Sequence, residues 1–277
     1  MNGRRGIAIF VFTFVFTGSG LVATGHAEEV VLKTSTGSGT RNVVSFFAEY
    51  DPFHFKWEEK KTGVKESGWM HGTRIGVKTD IYRNIAGEGS FFVYGGEVDY
   101  KGGTWSGDSV DSNTNYNGWK VEAKVGYPIR WNCTRVTPYM GLGYEYWKRS
   151  LENTLSSLGY DEKWKYGTFK VGVRPEYFKG RVFFYTDVYL SYPWKVENRV
   201  DLFNVKVKPK KKAGYGIEAG VQARNLFKLG LVGKAGIFYN YDKFGKSDLK
   251  YSSVVNSYLF QPESKREIYG FKIGIEF

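Results

Sequence analysis

Apolar and polar positions alternate along most of the chain after residue 42, and a period of two predicts β-strands. The last stretch shows the pattern most clearly: every second residue from Tyr269 to Phe277 is apolar, and the residues between them are glycine, lysine or glutamate. Because successive side chains of a strand point to opposite sides, this stretch has one apolar and one polar face. The chain is therefore predicted to consist mainly of amphipathic strands.

Ten such strands can be assigned, at about residues 44–57, 68–82, 90–101, 116–129, 136–150, 161–177, 181–194, 213–224, 228–241 and 265–277. Their connections alternate between long, at 58–67, 102–115, 151–160, 195–212 and 242–264, and short, at 83–89, 130–135, 178–180 and 225–227. Long loops on one side and short turns on the other are typical of up-and-down transmembrane barrels, with the long loops outside the cell. We predict an all-β fold, a ten-stranded antiparallel up-and-down transmembrane β-barrel over residues 43–277, with both termini in the periplasm.

The composition of the two faces favours lipid around this barrel. A soluble barrel such as a lipocalin also alternates, so the pattern alone does not decide between the two. In the fourth predicted strand, however, one face is free of charge from Trp119 to Ile129, while Lys120, Glu122 and Lys124 share the other. A lysine or arginine that faces lipid costs about 2–4 kcal/mol at the bilayer midplane. Tryptophan and tyrosine also collect near the strand ends, as expected at membrane interfaces, so we place the apolar face in lipid.

The N-terminal region predicts export. Arg4 and Arg5 precede an apolar run, and small residues lie before a cleavage point after Ala27, so residues 1–27 match a secretory signal peptide. Residues 28–42 are polar and rich in glycine, serine and threonine, and we expect a short periplasmic lead-in. A single cysteine excludes an intramolecular disulfide framework and a cysteine-ligated zinc site. The net charge is +12, but an exported chain without a recognition module is not expected to bind nucleic acid.

The polar face predicts a barrel interior filled with paired charges. Strands rich in acidic residues neighbour strands rich in basic ones, and partly desolvated charges require partners. The predicted lumen charge network consists of Glu49, Asp51, Arg74, Lys78, Glu97, Asp99, Lys120, Lys124, Glu145, Lys170, Arg174, Asp187, Glu218, Lys234 and Lys272. Eight strands are just filled by side chains and porin channels need about 16, so a ten-stranded lumen with this network is expected to be plugged.

The first hairpin provides a specific pairing. A loop centred between Thr62 and Gly63 predicts that Asp51 lies opposite Arg74. We also consider a β-bulge at Pro52 that shifts the register by one, because Lys56 continues the polar face on the other parity.

The final strand resembles the terminal strand of Gram-negative outer-membrane barrels, whose alternating apolar positions and aromatic last residue are read by the barrel-assembly machinery. The matching residues are Phe271, Ile273, Ile275 and Phe277. Over the mature chain, the pattern is similar to that of small outer-membrane barrels of the OmpW-like, OmpX-like and opacity types, and its size is similar to that of the omptins. The resemblance implies a monomer in the Gram-negative outer membrane, in contact with its lipid and lipopolysaccharide, with a structural or surface-binding role.

No group of residues in the sequence predicts catalysis, a metal site or a cofactor. His54 and His71 could face each other across the first hairpin, but we expect both to be interfacial or hydrogen-bonded, with His71 on the outward side. The stretch Asp51-Pro52-Phe53-His54 lacks the aspartate-any-histidine spacing of the omptin proteases, so we predict that the protein is not an enzyme. A narrow porin-like diffusion channel and an omptin-type or lipid A-modifying enzyme remain as alternatives.

One basic run in the fourth long loop is a candidate binding surface. It contains Lys206, Lys208, Lys210, Lys211 and Lys212. One interpretation is a solvated rim that neutralises lipopolysaccharide phosphates. The other is a docking patch for an anionic polysaccharide or host glycosaminoglycan, held by charge attraction that weakens with salt.

Overall fold

The computed structural model describes residues 7–17, 20–30, 43–60, 62–81, 85–103, 109–154, 159–226 and 230–277. The chain divides into two compact units, Met1–Thr40 and Arg41–Phe277. In the first unit, Ile7–Thr17 pairs with Gly20–Val30 as an antiparallel hairpin. The signal peptide at 1–27 and the lead-in at 28–42 fall largely on this unit and in part outside the described residues, and both stay predictions.

The second unit is a β-barrel of ten long strands. They are β1 (Val43–Glu59), β2 (Lys65–Ile81), β3 (Ile85–Gly103), β4 (Ser109–Gly126), β5 (Thr134–Leu151), β6 (Asp161–Lys179), β7 (Val182–Val200), β8 (Gly214–Leu226), β9 (Leu231–Gly245) and β10 (Ser264–Glu276). Each strand pairs antiparallel with its neighbour in sequence. The alternating pattern of the sequence thus forms an up-and-down meander.

The meander closes because β10 pairs with β1. At the seam, the backbone N–H of Phe46 donates to the carbonyl of Phe277 at 2.8 Å, and the N–H of Phe277 donates back at 2.9 Å. Closure satisfies the backbone groups that would otherwise form a sheet edge, which is a requirement for strands in lipid. The prediction of a closed ten-stranded antiparallel barrel is therefore confirmed.

The two ends of the barrel differ, and we call them the loop end and the turn end. The turn end carries short connections, such as the one at Gly180, whose φ of 62° suits the tight turn between β6 and β7. The loop end carries short additional strands. They are Val205–Val207 paired with β7, Lys210–Lys211 paired with β9, and a hairpin of Lys250–Ser252 with Ser257–Leu259.

The register of the first hairpin corrects two expectations. The pairing of β1 with β2 is continuous, so no bulge forms at Pro52. Asp51 lies opposite Gly72, while Arg74 lies opposite Glu49, which is two positions away from the expected pairing. The hairpin is therefore centred one residue earlier than the Asp51–Arg74 pairing requires. A register shift is found instead in β7, between Pro193 and Lys195, where it pairs with β6.

The outward side of the wall is apolar and the inward side is largely polar or aromatic. Large apolar side chains point outward and are exposed. Leu190 is 68 % exposed, Ile273 is 62 % exposed and Ile237 is 59 % exposed. Buried glutamates and lysines such as Glu49 and Lys272 lie inside the wall. The described residues contain no helix that is long and apolar enough to cross a membrane.

Candidate functional site: the barrel lumen

The strand registers decide which predicted lumen residues point inward. All of the predicted network faces the lumen except Glu97 and Asp99, which are exposed on the outer side of β3. This part of the prediction is corrected: at the loop end of β3, the inward positions are Val98 and Tyr100. The inward charge of β3 is Glu88, which lies directly opposite Lys124 of β4.

One half of the lumen is centred on two glutamates of β1 and β8. Glu49 accepts from Lys234 at 2.8 Å and lies 3.5 Å from both Lys272 and Arg74. Glu218 pairs with Lys272 at 2.5 Å and with Lys234 at 3.1 Å. Arg74 also donates to the Asp51 carboxylate at 3.0 Å, so the expected Asp51–Arg74 ion pair forms diagonally rather than between directly opposite residues.

The other half is centred on Glu122 of β4. Three lysines surround its carboxylate: Lys170 at 2.5 Å, Lys120 at 3.0 Å and Lys124 at 3.3 Å. Lys124 also approaches Glu88 at 3.5 Å. Every charge in this layer has an opposite charge close by, which is how ions are tolerated away from bulk water.

Toward the turn end the ion pairs continue, but the lumen widens. Lys78 pairs with Glu276 at 2.5 Å, Arg174 lies 3.3 Å from Glu176, and Arg135 also pairs with Glu176. A cavity of about 270 Å³ lies among these groups. We call it the turn-end vestibule.

Toward the loop end, Arg266 of β10 joins two carboxylates that lie on other strands. Its guanidinium donates to both oxygens of Glu145 at 2.9 Å and to Asp242 at 2.8 Å. Tyr94 donates to Glu145 at 2.6 Å and Tyr166 donates to Asp242 at 2.9 Å. The sequence analysis did not include Arg266 in the lumen network. Its side chain lies on the same face of the strand as that of Lys272, because the two positions are an even number of residues apart, and this would have predicted that it points inward.

Above Arg266, four aromatic side chains pack together inside the wall. Trp57, Trp147, Trp164 and Phe244 are at most 2 % exposed. The Trp147 and Trp164 rings stack with centroids 5.3 Å apart, and Phe244 packs 5.5 Å from Trp164. We call these four residues the aromatic cap. The cap belongs to a continuous buried cluster that also includes Phe53 and other lumen aromatics.

A second ionic layer lies on the loop side of the aromatic cap. Arg149 of β5 pairs with Glu66 of β2 and with Glu162 of β6, the latter at 2.9 Å. Tyr116 donates to Glu66, and Asn198 donates to Glu162 at 3.3 Å. All of these residues are buried, and none was in the predicted network. Arg149 could have been predicted to point inward, because it lies four residues after Glu145 on the same face of the strand.

Free space inside the barrel is not limited to the turn-end vestibule. Two further cavities of about 70 Å³ each lie next to the central charges. One oxygen of Asp51, which lines one of these cavities, has no hydrogen-bond partner among the described residues. The cavities near the central charges are lined by both charged and aromatic side chains.

Both histidines lie on the outer surface of the wall. His71 is hydrogen-bonded through Nδ1 to the hydroxyl of Tyr50 at 2.7 Å. The His54 ring stacks on Tyr269 at 4.9 Å and meets Trp69 edge-on at 5.8 Å. These contacts agree with the expected interfacial role, and they keep both imidazoles away from the lumen carboxylates. The described residues contain no cluster of three or more metal-ligating side chains.

The other predicted sites are at the two ends. The five lysines of the basic run are exposed at the loop end, and Lys206 pairs with Glu197 at 2.8 Å. In the same region, hydrogen bonds from Lys60 and Lys243 lower the pKa of Glu263. The predicted assembly residues Phe271, Ile273, Ile275 and Phe277 all point outward and are exposed.

Comparison with solved structures supports the fold assignment. The chain is similar to the outer membrane protease OmpT from Escherichia coli, with a TM-score of 0.60 and 10% identity over 88% of this chain and 99% of OmpT. The translocator domain of the autotransporter NalP from Neisseria meningitidis gives a TM-score of 0.48 and 8% identity over 87% of this chain and 89% of that domain. Neisserial surface protein A gives a TM-score of 0.33 and 14% identity over 83% of this chain and 95% of that protein.

At these identities the likeness shows the fold alone, which is that of a bacterial outer-membrane β-barrel. No family model matches the chain, and no curated protein matches its sequence.

Proposed function

We propose that the chain is an integral outer-membrane β-barrel with a closed lumen and a structural or surface-binding role. The observation that carries this proposal is the filling of the lumen: the central ion pairs, the Arg266 cluster and the aromatic cap lie one above another inside the wall. An open channel requires a continuous water-filled path, and a gap between these layers would have to be made by breaking buried ion pairs.

Residence in the outer membrane is supported by the outward face. Its exposed side chains are apolar around the wall, and aromatic residues such as Trp69, Trp194 and Tyr127 lie toward its two ends. Such a face is costly in water and favourable in lipid. The outer-membrane fold of the similar structures agrees with this location. In this orientation the loop end lies outside the cell, and both ends of the barrel chain lie in the periplasm.

The surface role is assigned to the loop end. The exposed basic run, residues 206–212, offers a concentration of positive charge that an anionic polysaccharide or the phosphates of lipopolysaccharide would neutralise. The outward positions of His54 and His71 favour a protein that is not an enzyme, because neither imidazole can reach the lumen carboxylates. A single closed barrel without free sheet edges also suits a monomer, and the exposed Phe271–Phe277 face suits recognition by the barrel-assembly machinery.

Single-channel recording in planar bilayers tests the closed lumen. The wild-type chain is expected to insert without stable conductance steps. A variant that removes the aromatic cap and the ionic layer below it, W147A/W164A/R266A, serves as the matched positive control and is expected to conduct more often. A stable wild-type conductance of porin size would contradict the proposal.

A narrow diffusion channel is the second candidate. The observation in its favour is the series of cavities, from the turn-end vestibule of about 270 Å³ to the two spaces of about 70 Å³ near the central charges. In the same recordings, this alternative predicts small, long-lived and ion-selective steps from the wild-type chain.

A further inference from the structure

The outer side of the wall carries a concentration of positive charge that sequence reasoning did not identify. Four neighbouring strands place a basic residue at the same level: Lys148 of β5 lies opposite Lys163 of β6, which lies opposite Arg199 of β7, which lies opposite Lys206. Just below this row, on the side of the lipid-facing wall, are Lys165 and Lys195. We call these six residues the wall patch.

Only part of this charge is neutralised within the protein. Asp161 pairs with Lys148 at 2.7 Å, and Asp201 pairs with Lys163 at 2.6 Å and with Arg199 at 3.1 Å. Glu197 is occupied by Lys206 at 2.8 Å. In the described part of the chain, Lys165 and Lys195 therefore have no carboxylate within ion-pair distance. The wall patch thus combines six basic groups with three carboxylates.

Like charges directly opposite each other in a sheet are destabilising, and the row offsets this repulsion with its own carboxylates, Asp161, Asp201 and Glu197. Lys165 and Lys195 add two more positive charges beside the row. Lys165 lies opposite Glu197, but the carboxylate of Glu197 is bonded to Lys206. An anion at these two lysines would therefore balance charge that the protein leaves unmatched.

The position of the patch indicates what kind of anion it would meet. Aromatic residues lie immediately below it on the same outer face: Lys165 is opposite Tyr146, and Lys195 lies 5.7 Å over the ring of Tyr144. Trp194, which packs against Gly167, is 47 % exposed and lies next to Lys195 at the register shift in β7. Aromatic belts of this kind mark the boundary between hydrocarbon and headgroups. The two unpaired lysines therefore lie at headgroup level.

We propose that the wall patch is a binding site for the phosphorylated headgroup of an outer-leaflet glycolipid, with Lys165 and Lys195 contacting its phosphates and Tyr144, Tyr146 and Trp194 lying against the lipid below. This site rests on the outer-membrane location proposed above, but it does not depend on whether the lumen is closed. It is also separate from the remainder of the basic run, residues 208–212, whose short strand Lys210–Lys211 pairs with β9 rather than with β5, β6 or β7.

Titration of the purified full chain in neutral detergent with lipopolysaccharide, and with the same material after removal of its phosphates, tests the site. The double variant K165Q/K195Q keeps the side-chain length but removes both unpaired charges. It is expected to bind intact lipopolysaccharide about tenfold or more weakly, since each basic group near an anionic surface contributes roughly a factor of five to ten. The dephosphorylated material is expected to bind the wild-type chain as weakly as intact material binds the variant.

The matched control is K179Q/R181Q, which removes the same charge from two exposed positions at the turn end and is expected to change binding less than about threefold. Heat-dependent mobility on gels shows that each variant is folded. Equal binding by K165Q/K195Q and wild type, or an equal loss in K179Q/R181Q, would overturn the site. Inorganic phosphate that saturates the chain at the same concentration as lipopolysaccharide would overturn the lipid as its ligand. Conductance of the same preparation tests the closed lumen independently. A failure of the lipid site can therefore be distinguished from a failure of the proposed closed lumen.

Discussion

Arg266 offers the sharpest test of whether the lumen is dry. The side chain is 4 % exposed and joins Glu145 and Asp242 through four hydrogen bonds between 2.8 and 3.1 Å. Replacing it with methionine keeps much of its volume but leaves two carboxylates without their cation. Breaking a buried ion pair by removing one partner costs about 3–5 kcal/mol. We therefore expect R266M to lose about that amount of unfolding free energy.

The neighbouring residue on the same strand is the matched control. Lys265 points outward and pairs with Glu58 at 2.9 Å, with 35% of its side chain exposed. Exposed ion pairs contribute about 0–1 kcal/mol, so K265Q is expected to have almost no effect. A third variant, R266M/E145Q/D242N, removes all three charges and is expected to recover part of the loss, because no unpaired ion remains.

Equilibrium unfolding in urea, with the chain in detergent or lipid vesicles and followed by circular dichroism, measures all three. If R266M loses no more free energy than K265Q, water reaches the Arg266 cluster and screens its charges. Water would then be present in the lumen at the level of Arg266, and the argument for a closed lumen would fail.

Two further predictions concern the loop end and the wall. Replacing the five lysines of the basic run with glutamine is expected to lower the salt concentration at which the chain elutes from immobilised heparin. The control K60Q removes one charge elsewhere on the rim and is expected to elute at nearly the same salt concentration as the wild type. If the wild type and both variants elute at the same salt concentration, the basic run is excluded as a polysaccharide site. Gly172→Ala places a Cβ 2.5 Å from the Tyr139 ring and 2.7 Å from the Val188 carbonyl oxygen, so it is expected to lower the unfolding free energy by about 1–3 kcal/mol. In the control Gly89→Ala the nearest neighbour of the new Cβ is 3.7 Å away, so no such loss is expected. The urea midpoints of the two variants, compared with that of the wild type, measure the difference.

The fold could be predicted from the sequence because lipid allows so few charges on the outward face. In β4 and β10 this leaves one parity apolar and the other polar, and the inward residues follow directly, as for Lys120, Glu122 and Lys272. The strand bounds were less certain. Strand β4 begins at Ser109 rather than at residue 116, and the polar residues of this added segment do not follow the alternating pattern. Strand β3 exceeds its predicted bounds mainly at the turn end, where it begins at Ile85 rather than at residue 90.

The same physical reason explains the errors at Glu97 and Asp99. At the loop end of β3 the outward face meets water or headgroups, so acidic residues are tolerated there, while the inward positions Val98 and Tyr100 pack in the interior. Polarity no longer marks the inside once the strand leaves the membrane. A parity count carried up from Phe92, which faces the lumen, would have placed both acidic residues outside.

What the sequence could not provide is the set of contacts across the barrel. Neighbouring strands can be paired from their order, and this predicts ion pairs that run along the wall. Such pairs leave the centre of the lumen free. Arg266 and Glu145 belong to β10 and β5, which lie on opposite sides of a ten-stranded ring, so their bidentate ion pair spans the interior. An ion pair of this kind cannot be predicted from the order of neighbouring strands, because its two partners are far apart both in sequence and around the ring.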